Sequence, residues 1–180
     1  PDMSYRLVAR ADANFPVAGQ HRPIVVGFGR CGILAALLLA QMGFKPIVLE
    51  RGREVRQRTR DTWGLWRKRE LDTESNVQFG EGGAGTFSDG KLYSQVRDPQ
   101  HYGRKVLTEL VNAGAAPEIL YIHRPHIGTF RLVKIVETMR ANIEALGGEI
   151  RFQCRVDDLL LEKGQVRGVK LAMGEEIITN

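Results

Sequence analysis

The chain has 180 residues, 43% hydrophobic and 26% charged, which is enough apolar content to bury a core and too much for a disordered chain. Its 20 glycines and 7 prolines follow no period, and this excludes collagen-like and low-complexity chains. The net charge of +5 comes from residues 51–70, where seven arginines and Lys68 stand against Glu54, Asp61 and Glu70.

Residues 1–22 are weakly patterned and read as a lead-in from a preceding region. They lack the apolar stretch of a secretory leader. Pro23 to Val26 is a short apolar run closed by Gly27, the pattern of a strand buried on both faces of a parallel sheet. Residues 30–43 read as a buried helix, with Gly43 as its C′ residue and Pro46 just beyond. This helix lies in the longest uncharged run, Cys31 to Phe44, which falls short of the roughly 20 apolar residues a bilayer span needs. Pro46 to Glu50 is a second buried strand, and the three elements form a βαβ unit with an expected right-handed crossover. Residues 53–70 suggest a helix interrupted near Gly64, and residues 79–90 are too glycine-rich for a regular element. Residues 101–113 and 129–146 are helical by period. Glu149 to Cys154 reads as a strand. Val156–Glu162, Val166–Ala172 and Gly174–Ile178 follow as an antiparallel meander with a tight turn at Lys163-Gly164-Gln165. The expected fold class is α/β, a Rossmann-like domain over residues 23–180 with an insertion-like segment at 53–148.

Gly27-Phe28-Gly29-Arg30-Cys31-Gly32 is a G-x-G-x-x-G run between a strand and a helix, and Glu50 follows at the end of the next strand. In that context the motif points to a dinucleotide. Gly27 permits the turn, Gly29 admits a pyrophosphate close to the backbone, and Gly32 lets helix and strand pack. The helix start offers N–H groups and positive dipole to an anion. Glu50 can accept from ribose hydroxyls, and its charge argues against a 2′-phosphate. The plain alternative is a buried βαβ unit with an accidental glycine turn. Between NAD and FAD, the second glycine-rich segment favours FAD, because a plain NAD domain does not need it.

Gly27–Gly32, Val48-Leu49-Glu50-Arg51-Gly52 and the run from Phe79 through Gly80-Glu81-Gly82-Gly83-Ala84-Gly85-Thr86 to Leu92 resemble a family of bacterial FAD-dependent dehydrogenases with the glutathione-reductase-type FAD fold. The resemblance covers roughly residues 22–175. It implies a flavoprotein oxidoreductase with FAD as cofactor and leaves the substrate open. It also implies that Gly27, Gly29, Gly32 and Glu50 hold the ADP half. Arg51 would then lie along the adenosine or pyrophosphate, and Gly82, Gly83, Ala84, Gly85 and Thr86 would pass beside the pyrophosphate or isoalloxazine. The Val156 backbone would meet the adenine. Arg30 stands where such flavoproteins usually carry proline, which should loosen the loop and bring a cation near the phosphates. The family pattern continues with a strand ending Ala-Thr-Gly and a distal Gly-Asp, and neither follows Ile178. The expectation is therefore the N-terminal part of a longer protein, truncated at its C-terminus, which alone binds FAD weakly or not at all.

Cys31, at a helix start beside Arg30, is either a flavin-proximal thiol or a small residue in a crowded turn. Cys154 reads as core. Two cysteines without C-x-x-C or C-x₄-C spacing exclude a disulfide framework and a dithiol reductase, and a reducing cytoplasm is expected. His123 and His126 lack metal-ligand company and are either acid–base groups or ordinary loop histidines. Asp89 and Lys91, inside the second glycine run, are catalytic candidates by proximity. Trp63 and Trp66 among Arg53, Arg56, Arg60 and Arg67 could stack on nucleic acid, or they could face inward from a solvated helix. Three functions follow: an FAD-dependent oxidoreductase acting on a small molecule, with NAD(P)H as a candidate electron donor; a tRNA-modifying or nucleic-acid-acting flavoprotein; and a non-enzymatic dinucleotide-binding module. The pattern favours the first and disfavours membrane or nucleic acid as partners.

Overall fold

A computed structural model describes residues 4–88, 90–92 and 96–179. The order of elements is β1 (Ile24–Val26), α1 (Arg30–Gln41), β2 (Ile47–Leu49), α2 (Val55–Lys68), a 3-10 turn (Ala84–Phe87), α3 (Tyr102–Asn112), a second 3-10 turn (Pro117–Leu120), α4 (Thr129–Ala145), β3 (Glu149–Arg151), β4 (Val156–Glu162), β5 (Gln165–Leu171) and β6 (Glu176–Ile178). Strands β1, β2 and β3 form a parallel sheet in that order, with Val25 opposite Val48 and Val48 opposite Ile150. Strands β4, β5 and β6 form a separate antiparallel sheet. This is the α/β architecture expected from the sequence, a Rossmann-like parallel sheet joined to an antiparallel meander.

The period of two in β2 explains how the layers assemble. Val48 points into the larger core with Phe28, Ile33, Leu37 and Ile135 of the helical side. Ile47 and Leu49 point the other way, onto Val169 and Leu171 of the meander. A strand buried on both faces therefore reads as a continuous apolar run. Strand β1 differs from expectation. It is an edge strand, and Val26 is 57% exposed at the mouth of the glycine turn.

Helix α1 ends as its sequence dictates. Met42 caps it, and Gly43 takes φ +88° and donates to the Ala40 carbonyl. Helix α2 is unbroken through Gly64, against the expected interruption. One glycine weakens a helix by only about 1 kcal/mol, and Arg58 and Thr62 anchor the inner face. The strand expected over Glu149–Cys154 stops at Arg151, because Gln153 turns into the left-handed region at φ +56°. Cys154 is accordingly half-buried in the connection to β4 and not inside a strand. Between β2 and β3 the chain makes all of α2, α3 and α4, and α4 packs along α1. No helix among the described residues is long and apolar enough to cross a membrane.

Candidate functional site

The site is built at the corner where β1 becomes α1. Gly27 leaves the strand at φ +90° and donates to the Leu49 carbonyl at 2.8 Å. Gly29 is the N-cap in extended backbone, and α1 begins with neither a side-chain cap nor an acid in its first turn. Such an end favours an anion. A Cβ on Gly32 would stand 2.0 Å from the Gly27 carbonyl oxygen, so this glycine is required by the protein's own packing. A Cβ on Gly29 would meet nothing closer than the Gly83 Cα at 3.7 Å. That is ordinary contact, so nothing in the protein's own packing demands glycine there.

Glu50 is buried and held by backbone. One carboxylate oxygen accepts from Phe28 N–H at 2.7 Å, and the other accepts from Gly52 at 2.8 Å and Gly80 at 3.0 Å. A carboxylate offers about four acceptor positions, so one remains for an incoming hydroxyl. The acid that the spacing suggested for a sugar thus also ties both glycine segments to the end of β2.

The second segment lies directly against the first. Gly82 donates to the Phe28 carbonyl at 2.8 Å, and Gly29 and Gly82 form a parallel bridge. Arg30, in the usual proline position, sends its guanidinium to the Gly85 carbonyl at 3.2 Å and the Ser88 hydroxyl at 2.9 Å. It therefore clasps the second segment. Thr86 is buried, and its hydroxyl donates to the Glu81 carbonyl at 3.3 Å.

A cleft of about 620 Å³ opens at this corner, lined by Gly27, Gly29, Glu50, Arg51, Gly83 and Val156 among others. These six sequence candidates come together on its wall. Arg30, Cys31, Gly32, Gly82, Ala84, Gly85 and Thr86 do not line it; they build or flank the corner from behind. A neighbouring cleft of about 600 Å³ shares Arg51, Cys154 and Arg155 with it. Arg51 pairs bidentately with Glu74 at 2.9 and 3.0 Å and lies over the Phe79 ring. Arg155 reaches the same carboxylate at 3.1 Å and also Asp157. The Arg51 hydrogen bond, with help from Arg155, holds the Glu74 carboxyl below its ordinary range.

The remaining candidates, Cys154 apart, lie elsewhere. Cys31 is exposed, so the crowded-turn reading does not hold. Burial pushes the Cys154 thiol up, which suits an inert side chain. Lys91 bridges to His126 through backbone, both are exposed, and neither lines the cleft. His123 is exposed in the same loop, and Asp89 lies outside the described residues. Trp63 and Trp66 do not pack inward. They are 43% and 57% exposed, and they stack edge-on with each other and, from Trp66, onto Phe87. The basic run is largely engaged: Arg51 by Glu74, Arg53 by Asp61 and Asp72, Arg56 by Glu137, and Arg58 in the interior.

Two residues escaped the sequence reading. Arg58 looked like one more member of a basic run, yet it is fully buried and donates to four carbonyls of residues 76–83. Glu81 is fully buried as well. It accepts from Val55 N–H at 2.7 Å, and its other oxygen faces Arg140 at 3.4 Å. Burial raises its carboxyl to about 7. An acid set among five glycines was the available signal, since such an acid has to find its donors elsewhere.

No protein-family model matches the chain. It is 47% identical over 148 residues to an uncharacterized protein of Clostridium beijerinckii, covering 82% of this chain and 27% of that one. Among solved structures, it resembles a 3-ketosteroid-Δ4-(5α)-dehydrogenase from Rhodococcus jostii in complex with 4-androstene-3,17-dione (TM-score 0.53, 16% identity, 95% of this chain and 46% of that). It also resembles THI4 from Thermovibrio ammonificans (0.52, 16%, 89% and 54%) and an L-amino acid deaminase from Proteus myxofaciens in complex with anthranilate (0.51, 14%, 95% and 46%). The chain spans about a quarter of the curated relative and about half of each solved chain. At these identities the structural likeness establishes the fold alone, the α/β architecture this chain shares with about half of each solved chain.

Proposed function

We propose that the protein is an FAD-dependent oxidoreductase and that the cleft at the β1–α1 corner takes the ADP half of the cofactor. One observation carries the reading: Gly29 lies on the cleft wall where no packing requirement explains a glycine, at an uncapped helix start, beside Glu50, Gly83 and Val156. A pyrophosphate against Gly29 would meet bare backbone and the positive end of α1. The free acceptor position of Glu50 suits one ribose hydroxyl, and Arg51, half-buried over Phe79, offers a flat cation beside the base. The fold shared with a dehydrogenase and a deaminase supports oxidoreductase chemistry on a small molecule. Bound FAD would supply hydride transfer through its flavin, and the chain supplies orientation and charge. NAD(P)H remains the proposed electron donor.

The test is made on the full-length protein. Purified protein should carry a flavin absorbance spectrum, and Gly29→Ala should weaken FAD binding about tenfold or more while its far-UV circular dichroism stays as in wild type. Full flavin occupancy in Gly29→Ala would overturn the site. Glu50→Ala is the less informative variant, because it also strips three backbone N–H groups of their acceptor.

A further inference from the structure

We propose that Arg58 is a positioning residue for the second glycine segment: from inside α2 it holds Gly80 and Gly83 against the first glycine turn and so fixes one wall of the nucleotide cleft. The consequence for cofactor affinity rests on the FAD reading; the positioning itself does not.

The guanidinium is fully buried and binds carbonyls from both arms of the loop. It donates to Asn76 at 2.8 Å and Val77 at 2.7 Å on one arm, and to Glu81 at 2.7 Å and Gly83 at 2.8 Å on the other. The loop is wrapped around the arginine stem, since a Cβ on Gly80 would stand 2.4 Å from the Arg58 Cδ. Its plane lies 4.8 Å over the Phe87 ring, which closes the far side. From this ring of carbonyls two short paths reach the cleft. Gly80 donates to the Glu50 carboxylate, which also receives Phe28 N–H of the first turn. Gly83, tied through its carbonyl, presents its Cα to Gly29.

Burial lowers the Arg58 pKa to about 10, with Glu50 and Glu81 opposing the drop, so the group stays charged at neutral pH. Only a planar fork can serve carbonyls on two sides at once. A lysine keeps the charge but has three donors at one point.

Arg58→Lys is the decisive variant, studied in the full-length protein by amide hydrogen exchange and FAD titration. Exchange across residues 76–88 should rise about tenfold or more while α1 and α4 keep wild-type protection, and FAD affinity should fall about tenfold. In Arg58→Ala, added methylguanidinium should restore both readouts; Arg58→Lys should not respond. Wild-type exchange over 76–88 in Arg58→Lys, or an equal rise across α1 and α4, overturns the proposal. If the wild-type protein takes no FAD, the cofactor reading fails, and the exchange arm still decides the positioning. A check without any variant is the wild-type protein itself. Its 76–88 amides should be protected like those of α1, and one arginine Nε–H should stay slow to exchange near pH 8. Solvent-rate exchange of either overturns the idea as well.

Discussion

The two glycine segments touch at Gly29 and Gly82, yet they are shaped by opposite means. The first, Gly27 to Gly32, is shaped locally: a strand ends, a helix starts, and the clearance between Gly32 and the Gly27 carbonyl sets the turn. The second, Gly80 to Gly90, has only a short 3-10 turn among its described residues and takes its shape from distant side chains. Arg58 grips its carbonyls, Glu81 anchors it to the start of α2, and Arg30 clasps its far end. A turn governed by local sterics should break through a methyl group, and a loop governed by buried charge should break through pH or a lost fork.

The largest effect is expected in the local turn. Gly32→Ala drives a Cβ into the Gly27 carbonyl at 2.0 Å, against backbone that cannot rotate away. A cost of about 3 kcal/mol is expected for overpacking of this kind. Urea denaturation should show a lower midpoint with an unchanged slope. A variant as stable as wild type would mean that the corner is looser than its geometry.

Next comes the charge-held loop. Glu81 faces Arg140 and Glu137 from α4, and Glu54 and the Val55 N–H from the start of α2. Its carboxyl sits near 7 in the folded protein and near 4.5 in the unfolded chain, so between those values the folded state holds a proton that the unfolded state has released. Stability must then fall as pH rises through this window, by up to about 3 kcal/mol. Glu81→Gln keeps an acceptor for Val55 and removes the titration. Urea midpoints at about pH 5 and pH 8 should differ more for wild type than for Glu81→Gln. Equal pH dependence in the two proteins would remove Glu81 from the account.

The contrast also explains what was legible in the sequence. The βαβ unit, its glycine turn and Glu50 follow from rules acting within about 30 residues, and the expected elements match the observed ones to within a few positions. The meander was legible for the same reason, with Lys163 and Gly164 in the positive-φ positions of its tight turn. Apart from the early end of β3 at the Gln153 turn, the failures are tertiary. Arg58 and Arg56 are near neighbours in sequence, yet one is fully buried and the other is on the surface. Only the loop of residues 76–83, folded back over α2, distinguishes them. The resemblance places Thr86 beside the pyrophosphate or isoalloxazine, and its hydroxyl turns inward instead, to the Glu81 carbonyl and the Arg58 guanidinium. Helix α2 runs through Gly64 because its inner face is anchored by contacts that no window of the sequence contains.

The smallest stability effects separate glycines kept for the fold from those free for a ligand. Gly29 and Gly83 face each other across the bridge, and each takes a methyl differently. Gly83 holds φ +62° with ψ −170°, a region essentially reserved for glycine, and its Cβ would meet the Gly29 Cα at 3.0 Å. Gly83→Ala should therefore cost about 1–3 kcal/mol. Gly29 holds φ −78° with ψ −172°, which any residue adopts, and its Cβ meets only ordinary contact at 3.7 Å. Alanine there narrows the unfolded ensemble without straining the native one, so Gly29→Ala should leave stability unchanged or raise it by up to about 1 kcal/mol. Measured by thermal melting without added flavin, the pair should split in sign or nearly so. A Gly29→Ala variant that melts as early as Gly83→Ala would show that Gly29 serves the fold after all, and its glycine would no longer point to a ligand.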